Sequence, residues 1–452
     1  MSVVMKFGGT SVADPDAIDR LIAIVRGERD TGRGAGAPVV VVSALAQVTD
    51  ALVAVTRLVE TGDAAGAERE VRALLDRHLD LASAVTAGRR ETLLEEVRRE
   101  FQELTGLVHA LAVLRDVSNR SMDAVLAVGE IVSSRIVAAA LADGGIGSAW
   151  IDARDVLKTD AAHAGAAPDM PETCARACAR VAPASAAGTV VVLGGFIGST
   201  AAGVTTTLGR GGSDYSAAIF GACLDASEIQ IWTDVDGMLT ADPRVVAQPR
   251  VVPQLSFAEA SELAYFGAKV LHPSTILPAI SKNIPVRILN ARRPENAGTR
   301  IAADSQADAR LAAIACKRRV TVIDITSSRM LMAHGFLRRL FEVFERHRTA
   351  VDVVTTSEVS VSVTVDDTRR LDDIVDDLRH FAEVGCEPEM AIVSLVGEYL
   401  RADPTLFARA VTSLDQVPLR LVSQAASRRN ITFVLRDADV PHAMMRLHDA
   451  FF

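Results

Sequence analysis

A lysine followed by glycines and hydroxyl residues lies near the start of the chain and is suited to binding phosphate. Lys6 ends a short apolar run at residues 3–5 and precedes Gly8, Gly9 and Thr10. Glycines let the backbone approach an anion closely, and the lysine adds a full positive charge. The order differs from that of the P-loop, in which the lysine follows the glycines. Taken alone, the motif is also compatible with an ordinary turn between a strand and a helix.

A second glycine-rich segment, residues 205–214, combines hydroxyl groups, an arginine and a carboxylate. It follows an apolar run at 190–193 that is typical of a buried strand. Arg210 suits a charged substrate, and Ser213 or Asp214 is suited to cap the apolar helix predicted to follow. A polar loop capped by Asp214 is the alternative, although it leaves Arg210 without a role.

The elements that must position these residues alternate between apolar strands and helical patterns from residue 1 to about 300. Residues 39–42, 229–232 and 285–289 are short apolar strands, and residues 89–142 form a long helical region. This alternation predicts an α/β domain, with a mostly parallel sheet and helices on both faces.

The pattern changes after residues 291–310, which are turn-rich and are interpreted as a linker. Short strands then precede a helix at 335–347, alternating strand residues follow at 359–363, and a similar pattern recurs after 389. This weak internal repeat predicts two small α+β units.

Composition limits the class of protein. The chain has 452 residues, a net charge of −9 and 49% hydrophobic residues with few aromatics, so two or three domains with aliphatic cores are expected and a nucleic-acid partner is not. No signal peptide or apolar run of transmembrane length is recognised, which predicts a cytoplasmic protein without a membrane partner. The scattered cysteines are expected to be reduced structural thiols: Cys174, Cys178, Cys223, Cys316 and Cys386.

Together these segments resemble the aspartate kinases of the amino acid kinase family, over essentially the whole chain. The matching motifs are Lys-Phe-Gly-Gly-Thr-Ser-Val at 6–12, Val-Gly-Glu at 128–130, Thr-Leu-Gly-Arg-Gly-Gly-Ser-Asp at 207–214, Trp-Thr-Asp-Val at 232–235, Asp-Pro-Arg at 242–244 and Phe-Gly-Ala-Lys-Val-Leu-His-Pro at 266–273. The run at 351–360 is similar to the lysine-responsive, monofunctional branch.

The resemblance implies an amino acid kinase fold followed by two α+β ACT domains. It places the catalytic domain at 1–298 and the first ACT domain at 324–388. The second ACT domain is implied to be discontinuous, formed by 299–323 and 389–452.

Phosphorylating a carboxylate needs no general base, because the nucleophile is already ionised at neutral pH. The task is to position the reactants and to neutralise charge on the transferred phosphoryl group. By resemblance, Lys6 contacts that group and Lys269 contacts the nucleotide, while Asp214 holds both lysines in place. Mg²⁺ is expected to arrive with ATP, because no carboxylate cage for a dedicated metal is recognised.

An amino-acid substrate presents an ammonium and an α-carboxylate, which an acid and a bidentate cation recognise. The resemblance assigns Glu130 to the ammonium and Arg210 to the α-carboxylate. The alternative for Glu130 is an acid at a helix N-terminus, favoured by the dipole. The other implied substrate residues are Ser43, Thr49, Gly211, Gly212 and Ser213.

The resemblance also implies a nucleotide site and an effector site. Leu239 departs from the tyrosine of many relatives, and Ala333 replaces a serine. The implied nucleotide residues are Lys6, Gly8, Gly9, Thr10, Thr233, Asp234, Leu239, Arg244, Lys269 and Val270. The implied effector residues are Met330, Ala333, Leu337, Val351, Asp352, Thr356, Ser357 and Glu358.

The sequence therefore predicts an ATP-dependent kinase that makes 4-phospho-L-aspartate, the first step toward lysine, threonine and methionine. Lysine is the expected effector, and a homodimer through the ACT domains, or a dimer of dimers, is the expected assembly. The alternatives are a related kinase of another small carboxylate, a catalytically inactive amino-acid sensor, and ACT domains that only dimerise. Retention of Lys6, Asp214, Arg210 and Lys269 argues against an inactive sensor.

Overall fold

The computed structural model describes residues 2–31, 36–267, 273–303, 311–327, 334–398, 400–424 and 427–452. They form two compact units that do not follow the chain in simple order. The first unit comprises Met1–Met238, Pro253–Phe257 and Val270–Ser305, and the second comprises Leu239–Val252, Ala258–Lys269 and Gln306–Phe452.

A large sheet forms the centre of the first unit. Its strands run in the order β3-β4-β2-β1-β7-β9-β10-β8, and all neighbours are parallel except β9 and β10. These strands are β1 (Val3–Phe7), β2 (Val39–Val42), β3 (Ser148–Trp150), β4 (Val190–Gly194), β7 (Glu228–Thr233), β8 (Gln254–Ser256), β9 (Val286–Asn290) and β10 (Thr299–Ala302). A separate antiparallel ribbon consists of β5 (Ile197–Ser199) and β6 (Thr205–Thr207).

The helices up to residue 281 lie between strands along the chain, either singly or in runs of several helices. They are α1 (Pro15–Thr31), α2 (Val48–Glu60), α3 (Ala64–Val85), α4 (Arg90–Leu114), α5 (Asn119–Asp143), α6 (Ala153–Val156), α7 (Met170–Arg180), α8 (Ala182–Ala186), α9 (Gly212–Cys223), α10 (Phe257–Tyr265) and α11 (Leu277–Ser281). All four valines of β2 are fully buried, as expected for a central parallel strand covered on both faces. The predicted α/β fold class is confirmed.

Helix α5 corrects one prediction from the sequence. Its 25 residues include a window with a mean hydropathy of 1.8, so by length and composition it could cross a membrane, contrary to the expectation. In this structure 83% of that window is buried inside the unit, where the helix packs between the sheet and the other helices and carries Glu130.

The second unit contains an antiparallel sheet with the order β12-β13-β11-β14-β16-β15. Its strands are β11 (Ala313–Thr326), β12 (Val354–Thr356), β13 (Ser360–Val365), β14 (Glu383–Val396), β15 (Leu419–Ser423) and β16 (Asn430–Arg436). Its later helices are α12 (Phe336–Arg346), α13 (Leu371–Arg379), α14 (Pro404–Ser413) and α15 (Val440–Phe451).

Two separate hydrophobic cores lie along this one sheet. Ile323, near the end of β11, belongs to a core with Leu340 of α12, whereas Ile314, near its start, belongs to a core with Leu447 of α15. The long strands β11 and β14 pair over most of their length and are shared by both cores. The sheet is therefore built from two α+β halves, each with its own pair of helices.

The cysteines correct a second prediction. Cys174 of α7 and Cys223 of α9 form a disulfide, although all the cysteines were expected to be reduced. The Sγ of Cys178 lies 3.5 Å from the backbone oxygen of Cys223. Nothing in the spacing of the cysteines along the chain indicates that Cys174 pairs with a residue 49 positions away.

Candidate active site

The carboxyl ends of the parallel strands bring several of the predicted site residues to one edge of the sheet. Lys6 lies near the end of β1, Ser43 directly follows β2, and Thr233 ends β7. The register pairs Phe7 of β1 with Trp232 of β7, so the segments that follow these two strands leave the sheet side by side. Crevices at the carboxyl ends of such strands are where α/β proteins bind ligands.

A cavity of about 490 Å³ opens at this edge. Its lining includes both predicted catalytic residues and every predicted substrate residue, together with several residues that the sequence did not single out. The lining residues are Lys6, Ser43, Thr49, Met122, Asp123, Leu126, Glu130, Ala164, Phe196, Thr207, Gly209, Arg210, Gly211, Gly212, Ser213 and Asp214.

Lys6 and Asp214 form an ion pair in the wall of this cavity. The Lys6 Nζ lies 2.7 Å from the Asp214 Oδ1, and the side chains are only 11% and 16% exposed. Asp214 lies in the first turn of α9, whose N-cap residue, Gly211, has a φ of 73° that favours glycine. The lysine and the amino end of α9 both favour bound negative charge.

Glu130 reaches the cavity from the middle of α5 because the helix packs very closely against the segment after β2. A Cβ on Gly129 would lie 2.8 Å from the Ala44 side chain, so only glycine fits there without displacement. This approach lets the Ala44 N–H donate a hydrogen bond of 3.2 Å to the Glu130 Oε1. The alternative interpretation of Glu130, as an acid at a helix N-terminus, is therefore wrong.

The environment of Glu130 favours its neutral form until a cation binds. The side chain is 3% exposed, and its Oε2 has no hydrogen-bond partner in the described part of the chain. Burial raises the pKa of Glu130 to about 8, with the bond from Ala44 acting in the opposite direction. A ligand ammonium beside Oε2 would supply both the missing hydrogen bond and the missing counter-charge.

Arg210 stands at the mouth of the cavity. Its side chain is exposed, and its guanidinium has no ion pair within the described ranges. Close packing shapes the adjoining wall, because a Cβ on Gly195 would lie 2.8 Å from the Ser213 Cβ. The cavity thus combines a buried acid, an unpaired guanidinium and the Lys6–Asp214 pair.

Asp123 is the main residue that the sequence reasoning missed. Its carboxylate is fully buried and accepts hydrogen bonds from Thr207 Oγ1 at 2.6 Å and from the Ala164 backbone at 3.1 Å. The His163 Nδ1 lies 2.7 Å from its Oδ2. Asp123 precedes Glu130 by seven residues, about two helical turns, and this spacing could have indicated a shared face. The partners have no comparable signal in the sequence.

Of the nucleotide residues predicted in the first unit, Lys6 is in the lining of this cavity, whereas Gly8, Gly9, Thr10, Thr233 and Asp234 are not. The Gly8 N–H donates to the Trp232 backbone oxygen at 3.1 Å, which ties the glycine turn to the end of β7. Thr10 is exposed, and the Thr233 hydroxyl lies 3.3 Å from the Asp234 Oδ1. These residues share the carboxyl edge of β1 and β7, and their nucleotide role stays a prediction.

The remaining predicted nucleotide residues fall elsewhere. Leu239 forms an isolated bridge with Val251 in the second unit. Arg244 belongs to the same unit, is largely exposed and pairs with Asp242. Its backbone and its guanidinium both donate to the Asp242 carboxylate, which is the arrangement of an ordinary turn. Lys269 and Val270 lie outside the described residues.

Of the predicted effector residues, Asp352 already has partners in this structure. Its side chain is 2% exposed, and its Oδ1 accepts from Lys317 Nζ at 2.6 Å and from the Tyr265 hydroxyl at 3.0 Å. Lys317 also pairs with Asp366 at 2.7 Å. Although burial opposes the shift, the bonds to the two acids raise the pKa of Lys317.

The other effector residues differ in exposure. Leu337 of α12 is 41% exposed, and Val351 is half-buried. Thr356, Ser357 and Glu358 are exposed around the turn that joins β12 to β13, where the Ser357 N–H donates to the backbone oxygen of Ser360 at 2.8 Å. Met330 and Ala333 lie outside the described residues.

Comparison with known proteins agrees with the fold. The family model of the amino acid kinase family matches residues 1–290, and that of the ACT domain matches 393–451. The lysine-sensitive aspartokinase 3 of Escherichia coli (strain K12) is 35% identical over 458 residues, which cover 100% of this chain and 99% of that protein.

Two solved structures of E. coli aspartokinase III are also similar. The complex with aspartate and ADP (R-state) has a TM-score of 0.85 at 33% identity and covers 100% of both chains. The complex with lysine and aspartate (T-state) has a TM-score of 0.82 at 34% identity, covering 100% of this chain and 99% of that chain. This chain belongs to the amino acid kinase family, within its aspartokinase branch.

Proposed function

We propose that this protein transfers the γ-phosphoryl group of ATP to the side-chain carboxylate of L-aspartate, forming 4-phospho-L-aspartate. The observation that carries the proposal is the single cavity that holds Glu130, Arg210 and the Lys6–Asp214 pair. Its opposite charges suit the three charged groups of aspartate together with a phosphoryl donor. The E. coli relative crystallised with aspartate and ADP supports the same pair of reactants.

In the proposed complex, a protein side chain of opposite charge binds the ammonium of the substrate and another binds its α-carboxylate. Glu130 accepts hydrogen bonds from the substrate ammonium, which replaces the missing partner of its Oε2. The exposed guanidinium of Arg210 offers a bidentate fork to the α-carboxylate. Ser43, Thr49 and Ser213 line the same cavity and can donate hydroxyl hydrogen bonds to the substrate.

Catalysis then rests on position and charge. The substrate β-carboxylate is the nucleophile and is ionised at neutral pH, so no side chain has to remove a proton. Lys6 stabilises negative charge on the transferred group, and the first turn of α9 adds its dipole. Asp214 orients Lys6 through their 2.7 Å ion pair and acts as a positioning residue.

ATP and Mg²⁺ complete the proposed reaction. The described ranges contain no group of three or more His, Cys, Asp or Glu side chains arranged to hold a metal. Mg²⁺ keeps several waters and takes the rest of its oxygen ligands mainly from nucleotide phosphates. This fits a site in which the protein group proposed to face the phosphate, Lys6, is a cation. Gly8, Gly9, Thr10, Thr233 and Asp234 are proposed for the nucleotide, with Leu239, Arg244, Lys269 and Val270 as further candidates from the sequence.

We further propose feedback regulation and assembly through the C-terminal α+β halves. The proposed catalytic domain is 1–298 and the first ACT domain is 324–388. The second ACT domain is formed by 299–323 together with 389–452. The lysine-sensitive E. coli relative supports lysine as the effector, recognised near Asp352 and Glu358. A homodimer through the ACT domains, and a role early in the synthesis of lysine, threonine and methionine, belong to the same proposal.

A hydroxylamine-trapping assay tests the reaction, because hydroxylamine converts an acyl phosphate into a hydroxamate, which forms a coloured complex with ferric iron. Wild-type protein with ATP and Mg²⁺ should give product with L-aspartate and far less with L-glutamate or N-acetyl-L-aspartate. The N-acetyl compound is the matched control for Glu130, because it lacks the ammonium. Product with another carboxylate alone, or with none, would replace the proposal with a different kinase or an inactive sensor.

A further inference from the structure

A second cavity, of about 500 Å³, lies on the face of the first unit's sheet that packs against α1. Its lining shares no residue with the cavity that contains Lys6. The volume is within the range of small-molecule sites. Its lining combines apolar and polar side chains, among them Ile24, Glu28, Gln230, Trp232, Arg287 and Leu289.

Strand register explains why polar side chains meet here. Gln230 and Trp232 alternate onto one face of β7, and their partners on β9 are Arg287 and Leu289. The same face carries the apolar residues of β1 that α1 covers. Two polar side chains and two apolar ones from neighbouring strands therefore form one wall of the cavity.

Gln230 is the centre of a hydrogen-bond network in that wall. Its side chain is 2% exposed, and its Nε2 donates to Glu28 Oε2 at 2.9 Å and to Glu228 Oε1 at 3.1 Å. Its Oε1 accepts from the Trp232 indole at 3.0 Å. The Arg287 Nη2 lies 3.2 Å from the Glu228 Oε2. The amide is thereby fully engaged, and it holds Glu28 in place.

Two charged atoms of this network have no partner within the described residues. They are the Glu28 Oε1 and the Arg287 Nε, and both are buried. Both residues line the cavity and their side chains are partly exposed, with Arg287 27% exposed, so each charged group can turn its unpaired atom toward a ligand there. Leaving a charged acceptor and a charged donor unpaired is costly, and a ligand that carries one group of each kind would satisfy both.

We propose that this cavity binds a small α-amino acid with an apolar side chain. Glu28 accepts from its ammonium, the Arg287 Nε–H donates to its carboxylate, and the side chain packs against Ile24, Trp232 and Leu289. Glu28, Glu228 and the lining residue Glu295 outnumber Arg287, so a nucleotide or a dicarboxylic amino acid is disfavoured. The site is therefore separate from the proposed aspartate site in both place and preference.

Isothermal titration calorimetry on the full-length protein tests the ligand class, with L-leucine, L-methionine and L-valine as probes. 3-Methylbutylamine lacks the carboxylate of leucine, and 4-methylpentanoate lacks its ammonium. Each should bind at least ~10-fold more weakly than leucine, because each leaves one charged atom unpaired. Absence of binding by all three amino acids at millimolar concentration, or analogues that bind as well as leucine, would overturn the proposal.

Variants then locate the site. Glu28→Gln and Arg287→Lys should each weaken leucine binding by at least ~10-fold, and Arg287→Lys keeps a cation beside Glu228. Asp30→Asn and Arg29→Lys, at exposed neighbours on α1, are charge-matched controls that should bind normally. Unchanged binding in both test variants would place the amino acid in another site and overturn the proposal.

Catalysis provides the separate check. All four variants should keep hydroxamate formation with L-aspartate, which shows that they are folded. If the wild type forms no hydroxamate with L-aspartate, the proposed reaction is refuted, whereas the test of leucine binding still applies.

Discussion

Lysine–aspartate ion pairs of almost equal length occur in the two units, but their surroundings differ. Lys6 lies 2.7 Å from Asp214 beside an open cavity, and the second unit pairs Lys317 with Asp352 at 2.6 Å. Lys317 has a second acid, Asp366, and the ring of Tyr265 centred 5.2 Å away. Lys6 has one acid and space for a ligand.

This difference indicates what each pair can do. A lysine held by one acid at a cavity can direct its remaining N–H groups toward a phosphoryl oxygen. The charge of a lysine between two acids is already neutralised. Lys317 therefore has a structural role, in which its ion pairs connect β11 to the segments that carry Asp352 and Asp366. An effector ammonium that uses Asp352 must therefore share this carboxylate with Lys317, whereas the exposed Glu358 has no ion pair among the described residues.

Removing each lysine should separate the two roles most strongly. Lys6→Ala is expected to lower kcat at least ~100-fold, because it removes charge that stabilises the transition state.

Lys317→Met should leave kcat without effector close to that of the wild type and should destabilise the second unit, because Asp352 loses its counter-charge. Steady-state kinetics and thermal unfolding measure both. Near-normal turnover by a folded Lys6→Ala enzyme would contradict the assignment.

The next largest effect is expected at Arg210. Arg210→Lys keeps the charge but loses the bidentate fork, so KM for aspartate should rise roughly 10- to 100-fold. KM for ATP should change little. The two KM values decide the assignment, because a collapse of ATP affinity with normal aspartate affinity would place Arg210 at the nucleotide.

Glu130 predicts a dependence on pH. Its pKa of about 8 in the free protein means that aspartate binding must displace a proton at pH 7. Affinity for aspartate should therefore fall by up to about tenfold per pH unit as pH drops below that pKa. KM measured from pH 6 to pH 8.5 should show this trend in the wild type, and Glu130→Gln should bind weakly at every pH.

The same group affects the stability of the free protein with the opposite sign. Its folded pKa of about 8 exceeds the reference value of 4.5, so the folded state binds more protons between these limits. This contribution to stability is fully present below pH 4.5 and is lost as pH rises through 8. Thermal unfolding without ligand should show a smaller loss over this window in Glu130→Gln, and equal slopes would argue against the raised pKa.

Asp123 tests whether the cavity wall depends on its buried carboxylate. Asp123→Asn should destabilise the first unit by about 1–3 kcal/mol, because Thr207, Ala164 and His163 all contact that carboxylate. Thr207→Val removes a single bond and should cost less, about 0.5–1.5 kcal/mol. Denaturant unfolding gives both values, and equal costs would show that the network does not act through Asp123.

The smallest effect is expected from the predicted effector position Ala333. Ala333→Ser adds one possible hydrogen bond, about 0.5–1.5 kcal/mol, so lysine should inhibit this variant up to about tenfold more strongly. Inhibition requires that lysine bind the active and inactive arrangements differently. Lysine titrations of both proteins are the measurement. No inhibition of either at millimolar lysine, or weaker inhibition of the variant, would end the hypothesis.

The sequence by itself predicted the fold class and, through the family resemblance, most of the residues that line the cavity containing Lys6. Strand periodicity and glycine-rich turns are local signals, and they placed Lys6 at the end of a predicted strand and Arg210 in a glycine-rich segment that follows another. The structure shows that these distant segments meet at one edge of the sheet. The same local signals could not identify the disulfide of Cys174, because its partner comes close only through the packing of α7 on α9.

Tertiary structure alone decided which charges are paired and which face open space. Asp123 became a buried hydrogen-bond centre because α5 lies against β6, and Asp352 acquired Lys317 because β11 passes beside it. The second cavity depends on the register that sets Gln230 beside Arg287 on one face of the sheet. Burial and long-range register arise from contacts between segments far apart in sequence, so residue type and spacing do not encode them locally.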